Sequence, residues 1–154
     1  MITAIAAPID RCFDLARCVD VHLRSTASTG EKAVAGKTTG LLELGDDVTF
    51  RGRHFGVVQE LTSRITVFER PSHFRDSMVR GAFRRVDHDH YFVARGTVTE
   101  MRDIFDFTAP LGPLGHLAEV LVLRRYMRSF LMERNAELRQ VAESDEWRRY
   151  LPAA

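Results

Sequence analysis

TTGLLELGDDVTFRGRHFGVVQELTSRITVFERPSHFRDSMVRGAFRRVDHDHYFVARGTVTEMRDIFDFTAP, residues 38–110, is rich in Val, Thr, Phe and Ile and shows no helical period. Gly45-Asp46-Asp47, Arg70-Pro71-Ser72, Val86-Asp87 and Gly96 or Glu100 punctuate it. Turn residues at such intervals predict consecutive strands with short connections. Strands joined in this way pair antiparallel.

The flanks complete the pattern. ITAIAA (2–7) is short and apolar and reads as a first strand. Pro8 can open a helix, where its missing N–H costs nothing. Ile9, Cys12, Phe13 and Ala16 then recur at i, i+3, i+4 and i+7, one buried stripe. Asp20 is expected to cap a second short helix, VHLRSTAST. On the other side APLGPLG (109–115) is a loop of prolines and glycines that stops the sheet. It reads equally as a plain linker and as a gate at a cavity mouth. From His116 to Ser144, Val120, Leu123, Met127, Phe130, Leu131, Leu138 and Val141 recur at helical spacing. They predict one amphipathic helix of about 30 residues, roughly 45 Å long. The expected fold is α+β: about six or seven curved antiparallel strands around a long C-terminal helix, with two short helices after the first strand. A bent sheet closed by one helix seldom fills its own interior.

Composition bounds the function. The 154 residues are read as one domain, 1–154, large enough to bury a core without staples. A net charge of +1 argues against a nucleic-acid binder working by bulk electrostatics. Cys12 and Cys18 are spaced poorly for a disulfide and read as reduced thiols of a cytoplasmic protein. The start lacks a secretory signal, and no apolar run nears the roughly 18 residues of a membrane span.

IAAPIDRCFDLA (5–16) carries an I-x-AP-x-x-x-x-F pattern, and PLGPLGHLAEVLVLRRYMRSFLMERNAELR (110–139) forms the ending. With the order of elements, these resemble the START-like (SRPBCC) superfamily, which includes polyketide cyclase/dehydrase and lipid-transport proteins. GDDVTFRGRHFGV (45–57) and ITVFERPSHFRDSMVRGAFRRVDHDHYF (65–92) are similar to a bacterial cyclase/dehydrase branch. The resemblance implies a helix-grip fold with an elongated cavity for an apolar ligand. Members have a fuller first strand than the one before Pro8.

Strand alternation nominates the polar residues of that cavity. Val48, Phe50, Gly52 and His54 share the face expected to point inward. His88, His90, Phe92 and Ala94 share a face, as do Met101, Asp103, Phe105 and Phe107. Phe74, Asp76, Met78 and Arg80 oppose Arg75, Val79 and Phe83, with no clear inner side. His88 is placed near a turn. Three readings compete. His88, His90 and His54 would give three imidazoles for zinc, but no cysteine or glutamate motif supports it, and neither metal nor cofactor is expected. His54 or His90 as base, oriented by Asp103, would suit cyclisation or dehydration beside a carbonyl without a covalent intermediate. Binding needs less: His54, His90 and Arg80 receive a polar group, while Phe50, Phe92, Phe105 and Phe107 hold an acyl or ring portion. The expected function is binding of a hydrophobic small molecule or lipid, with the cyclase/dehydratase as its alternative. The expected partner is that ligand, and the pattern is compatible with a homodimer. Against all three stands ordinary core packing.

Overall fold

In a computed structural model, described for residues 1–108 and 122–151, β1 (Ile2–Ile5) leads into α1 (Ile9–Ala16) and α2 (Val19–Ser25). Then follow β2 (Lys32–Gly36), β3 (Asp47–His54), β4 (Val57–Glu69), β5 (His73–Arg80), β6 (Arg85–Arg95) and β7 (Val98–Thr108). The last helix, α3, spans Arg124–Glu143, and a short 3-10 turn covers Asp145–Arg149. APLGPLG, with its gate reading, and the expected first turns of the long helix, Val120 included, lie outside the described residues.

All seven strands form one sheet in the order β1-β7-β6-β5-β4-β3-β2, every pair antiparallel. Chain order and spatial order agree except for β1, which returns to pair with β7. This is the helix-grip α+β architecture expected from the sequence. α3 packs against α1, α2 and β1, so its far end spans the concave sheet face.

The core is anchored by α1. Phe13 is fully buried, and its ring meets Phe68, Phe74 and Phe92 edge-on at centroid distances of 5.4, 5.4 and 5.5 Å. Cys12, Leu15 and Ala16 complete the buried side of that helix. Leu131, Leu138 and Val141 form the buried stripe of α3, and Asn135 lies within it.

Local details differ from the sequence reading. The run of consecutive strands begins before residue 38, at β2, whose Ala33 and Ala35 pair with Phe50 and Thr49 around a bulge. Small residues and a glycine gave this strand little β signature. Val86 and Asp87 are no turn: they lie inside β6, opposite Phe107 and Asp106. The reversal falls between Arg80 and Arg85. Glu100 is interior to β7, and the chain turns at Gly96, φ 65°. An unforeseen two-residue turn, Phe55-Gly56, joins β3 to β4 with φ 53° and 77°. Paired positive φ values match the twist of a hairpin, and glycine supplies one of them without strain. Asp20 does not cap α2. Cys18 holds that position, and the Asp20 carboxylate accepts the Gly40 backbone N–H at 2.8 Å instead.

Candidate functional site

A cavity of about 150 Å³ separates the concave sheet face from α3. Val48, Phe50, Ile65 and Phe105 line it from the sheet, and Met127, Phe130 and Leu131 from the helix. Two polar clusters interrupt these apolar walls. Each follows from strand alternation combined with register.

The first cluster crosses β5, β6 and β7. Register sets Asp76 opposite His88, and His90 opposite Asp103. All four side chains lie on the inner face. His88 Nε2 donates to Asp103 Oδ1 at 3.1 Å, and His90 Nε2 meets Asp76 Oδ2 at 3.3 Å. His90 Nδ1 is 2.9 Å from Asp103 Oδ1, but poorly aligned for a hydrogen bond. Asn135 Nδ2 donates to Asp103 Oδ2 at 2.6 Å and to Thr3 Oγ1 at 3.2 Å. Arg134 Nη1 reaches His88 Nδ1 at 3.3 Å.

Charge in this cluster is set by competition between burial and partners. Burial favours the neutral form of His88, and repulsion from His90 adds to it. Together they outweigh Asp103 and lower the His88 pKa to about 4. Burial also disfavours the His90 cation, yet Asp103 and Asp76 prevail and raise its pKa. Burial resists ionisation of Asp76, but His90 and His88 hold it at about 2. Asp103 is held well below the usual carboxylate range, His88 and His90 overcoming its burial. The two carboxylates thus favour the charged form of His90, while burial and His90 favour the neutral form of His88. Asp76 keeps a quarter of its side chain accessible, and it lines the cavity with His88 and Arg134.

The second cluster joins α2, the start of β2, the end of β3, and α3. Glu31 Oε2 meets His22 Nε2 at 2.8 Å, and Glu31 Oε1 lies 3.3 Å from His54 Nε2. His54 Nδ1 meets the Tyr126 hydroxyl at 2.7 Å. His22 stacks on Phe50 with centroids 4.1 Å apart. Burial works against the Glu31 charge, but His22 and His54 hold its pKa far below the ordinary value. Gly52 makes room for this carboxylate, since a Cβ there would meet Glu31 Cγ at 2.5 Å. Burial, then the nearby Glu31 and Glu133, raise the Tyr126 hydroxyl.

The sequence-nominated residues are thus divided. His54 lines the cavity, but its carboxylate neighbour is Glu31, not Asp103. His90 and Asp103 stand together as the wall behind His88. His88 is 3% exposed and interior to β6, a correction to its placement near a turn. Phe50 and Phe105 line the cavity. Phe92 packs into the Phe13 cluster, and Phe107 meets Phe83 edge-on and Phe105 at a tilt. Arg80 is exposed at the end of β5, beyond a bulge that shifts the pairing between Thr62 and Ser63. Asp76, Glu31, His22, Tyr126, Arg134 and Asn135 went unnominated. Only Asn135 left a signal, as a polar residue between Leu131 and Leu138 in the buried stripe.

No helix of the described residues is long and apolar enough to cross a membrane. No family model matches the chain. No curated protein matches it either. Solved structures do. A protein of Thermus thermophilus superposes with a TM-score of 0.71 at 17% identity, covering 94% of this chain and 97% of its own. The Zhui aromatase/cyclase of a Streptomyces species gives 0.69 at 14% identity, covering 100% and 95%. Major latex-like protein 151 of Panax ginseng gives 0.65 at 13% identity, covering 94% and 95%. The likeness extends over nearly the full length of each partner, so the chain shares with them the helix-grip fold.

Proposed function

We propose that this protein binds a small, largely hydrophobic molecule between the sheet and α3. The observation that carries the reading is the cavity: apolar walls, with a titratable cluster at each of two places on its surface. Ligand pockets combine these features, the apolar part supplying affinity and the polar groups orientation. Phe50 and Phe105 would hold a ring or short acyl portion. His54, Tyr126 and His88 would receive a hydroxyl or carbonyl. A volume of about 150 Å³ suits a ligand of one or two rings rather than a whole diacyl lipid.

Calorimetric titration with 1-naphthol and decanoate tests this. Saturable one-to-one binding is expected with at least one of them, and Met127→Trp, which fills the cavity from the helix side, should abolish it. A folded wild type that saturates with neither probe overturns the proposal.

A second reading is favoured by one contact. His88, facing the cavity, is held by Asp103 at 3.1 Å, the geometry of a general base oriented by a carboxylate. Such a base beside a bound carbonyl would support cyclase or dehydratase chemistry. The structural relative Zhui is itself named an aromatase/cyclase. Deuterium uptake at the α-carbon of 2-tetralone is the test. Exchange above the buffer rate that His88→Gln removes supports it, and exchange at the buffer rate refutes it.

A further inference from the structure

The inner face of β5 and β6 holds three donor atoms that converge on one point. One ligand atom each from Asp76, His88 and His90 lies within 4.8 Å of the other two. Asp76 Oδ2 is 3.3 Å from His90 Nε2 and 3.9 Å from His88 Nδ1. Ligands bound at about 2.1 Å in a tetrahedron are roughly 3.4 Å apart. The three atoms therefore need to close by no more than about 1.4 Å, within reach of side-chain rotation.

What stands behind them argues more strongly. The far nitrogens of both imidazoles face one oxygen, Asp103 Oδ1, at 3.1 and 2.9 Å. A carboxylate there can accept from the near N–H of each ring, which frees His88 Nδ1, and frees His90 Nε2 once the proton it shares with Asp76 has left. Metal-binding histidines are oriented in this way. Asp103 is itself held by Asn135. A structural ion pair would need one histidine. Here there are two, and His90 Nδ1 makes no well-aligned hydrogen bond. The lone pair of His88 Nδ1 already faces a cation, since Arg134 Nη1 reaches it at 3.3 Å. Arg134 is half-buried, and its long side chain can withdraw along the cavity.

We propose that Asp76, His88 and His90 form a site for a divalent transition-metal ion, with Asp103 orienting both imidazoles and Arg134 competing with the ion for the same place. Two nitrogens and one carboxylate oxygen favour Zn²⁺, Fe²⁺ or Co²⁺ over Ca²⁺ and Mg²⁺, which prefer oxygen donors throughout. The ion replaces the proton between His90 and Asp76, and that proton is released. Asp76 and His88 line the cavity, so the remaining coordination positions open toward it. The site borders the proposed ligand pocket but does not depend on what the pocket holds.

The test is calorimetric titration of chelator-treated protein with ZnCl₂ and CoCl₂, with visible absorption of the cobalt form. One-to-one binding in the micromolar range or tighter is expected, with d–d bands of low-symmetry nitrogen and oxygen coordination. His88→Gln and Asp76→Asn should each weaken binding at least tenfold, and Asp103→Asn about 10–100-fold. Circular dichroism melts establish that the variants fold. Arg134→Met should tighten binding about tenfold by removing a like charge, a gain that a purely structural cluster would not produce. Wild type that fails to bind either ion overturns the proposal. So does binding that His88→Gln and Asp76→Asn leave intact, which would place the ion elsewhere, for instance at Glu31. Titration of the same samples with 1-naphthol separates failure of this site from failure of the cavity reading.

Discussion

Asn135→Leu isolates the interaction that ties α3 to the polar cluster. Asn135 is 3% exposed, and its amide donates to Asp103 Oδ2 at 2.6 Å and to Thr3 Oγ1 at 3.2 Å. Leucine keeps the size of the side chain and removes both donors. A hydrogen bond to a buried charged group contributes about 1.5–3 kcal/mol, and its loss leaves Asp103 with one oxygen unpaired. For a chain of this size 1 kcal/mol moves the Tm by about 2–4 °C, so a decrease of roughly 3–12 °C is expected. The assay is urea and thermal denaturation in the presence of chelator, run as a double-mutant cycle with Asp103→Asn. In that background the bond loses its charge assistance, and Asn135→Leu should cost only about 0.5–1.5 kcal/mol. Equal costs in the two backgrounds would refute the assignment of the stabilisation to this bond. So would a cost below about 0.5 kcal/mol in the wild type.

Three further outcomes are expected. Glu31 has a folded pKa depressed below its unfolded value of about 4.3, so its contribution is full above that pH and is lost as pH falls toward the folded value; Glu31→Gln should lower stability at pH 7 and flatten the decline in acid, and an unchanged acid limb in urea melts would sink this account. Phe13→Ala removes a fully buried ring with three edge-on partners and should cost about 3–5 kcal/mol in urea denaturation, with a cost near 1 kcal/mol contradicting its central place. Arg80→Ala should change neither the Tm nor 1-naphthol binding, because Arg80 is exposed at the strand end; weakened binding would restore it to the pocket.

The architecture was legible from local patterns. Turn residues between β-rich runs predicted the antiparallel sheet, and the period of α1 predicted Cys12 and Phe13 as buried. Alternation is a two-valued property, so His54 could be assigned to the inner face of β3 and Asp103 to that of β7 once one apolar face was recognised. In β5 both faces carried charged and apolar residues, and alternation alone left Asp76 undecided.

Partnership required the third dimension. Whether His54 meets Asp103 or Glu31 depends on which strands are neighbours and on their register. β3 and β7 are separated by β4, β5 and β6, while Glu31 immediately precedes β2, next to β3. A bulge between Thr62 and Ser63 shifts the pairing where Arg80 ends its strand. Asn135 joins Asp103 only because α3 crosses β1 and brings a buried amide over β7. Periodicity along the chain therefore determined which residues share a face, and for β3 and β7 which face points inward. Strand order, register and helix docking, which bring together residues far apart in sequence, decided which of them meet.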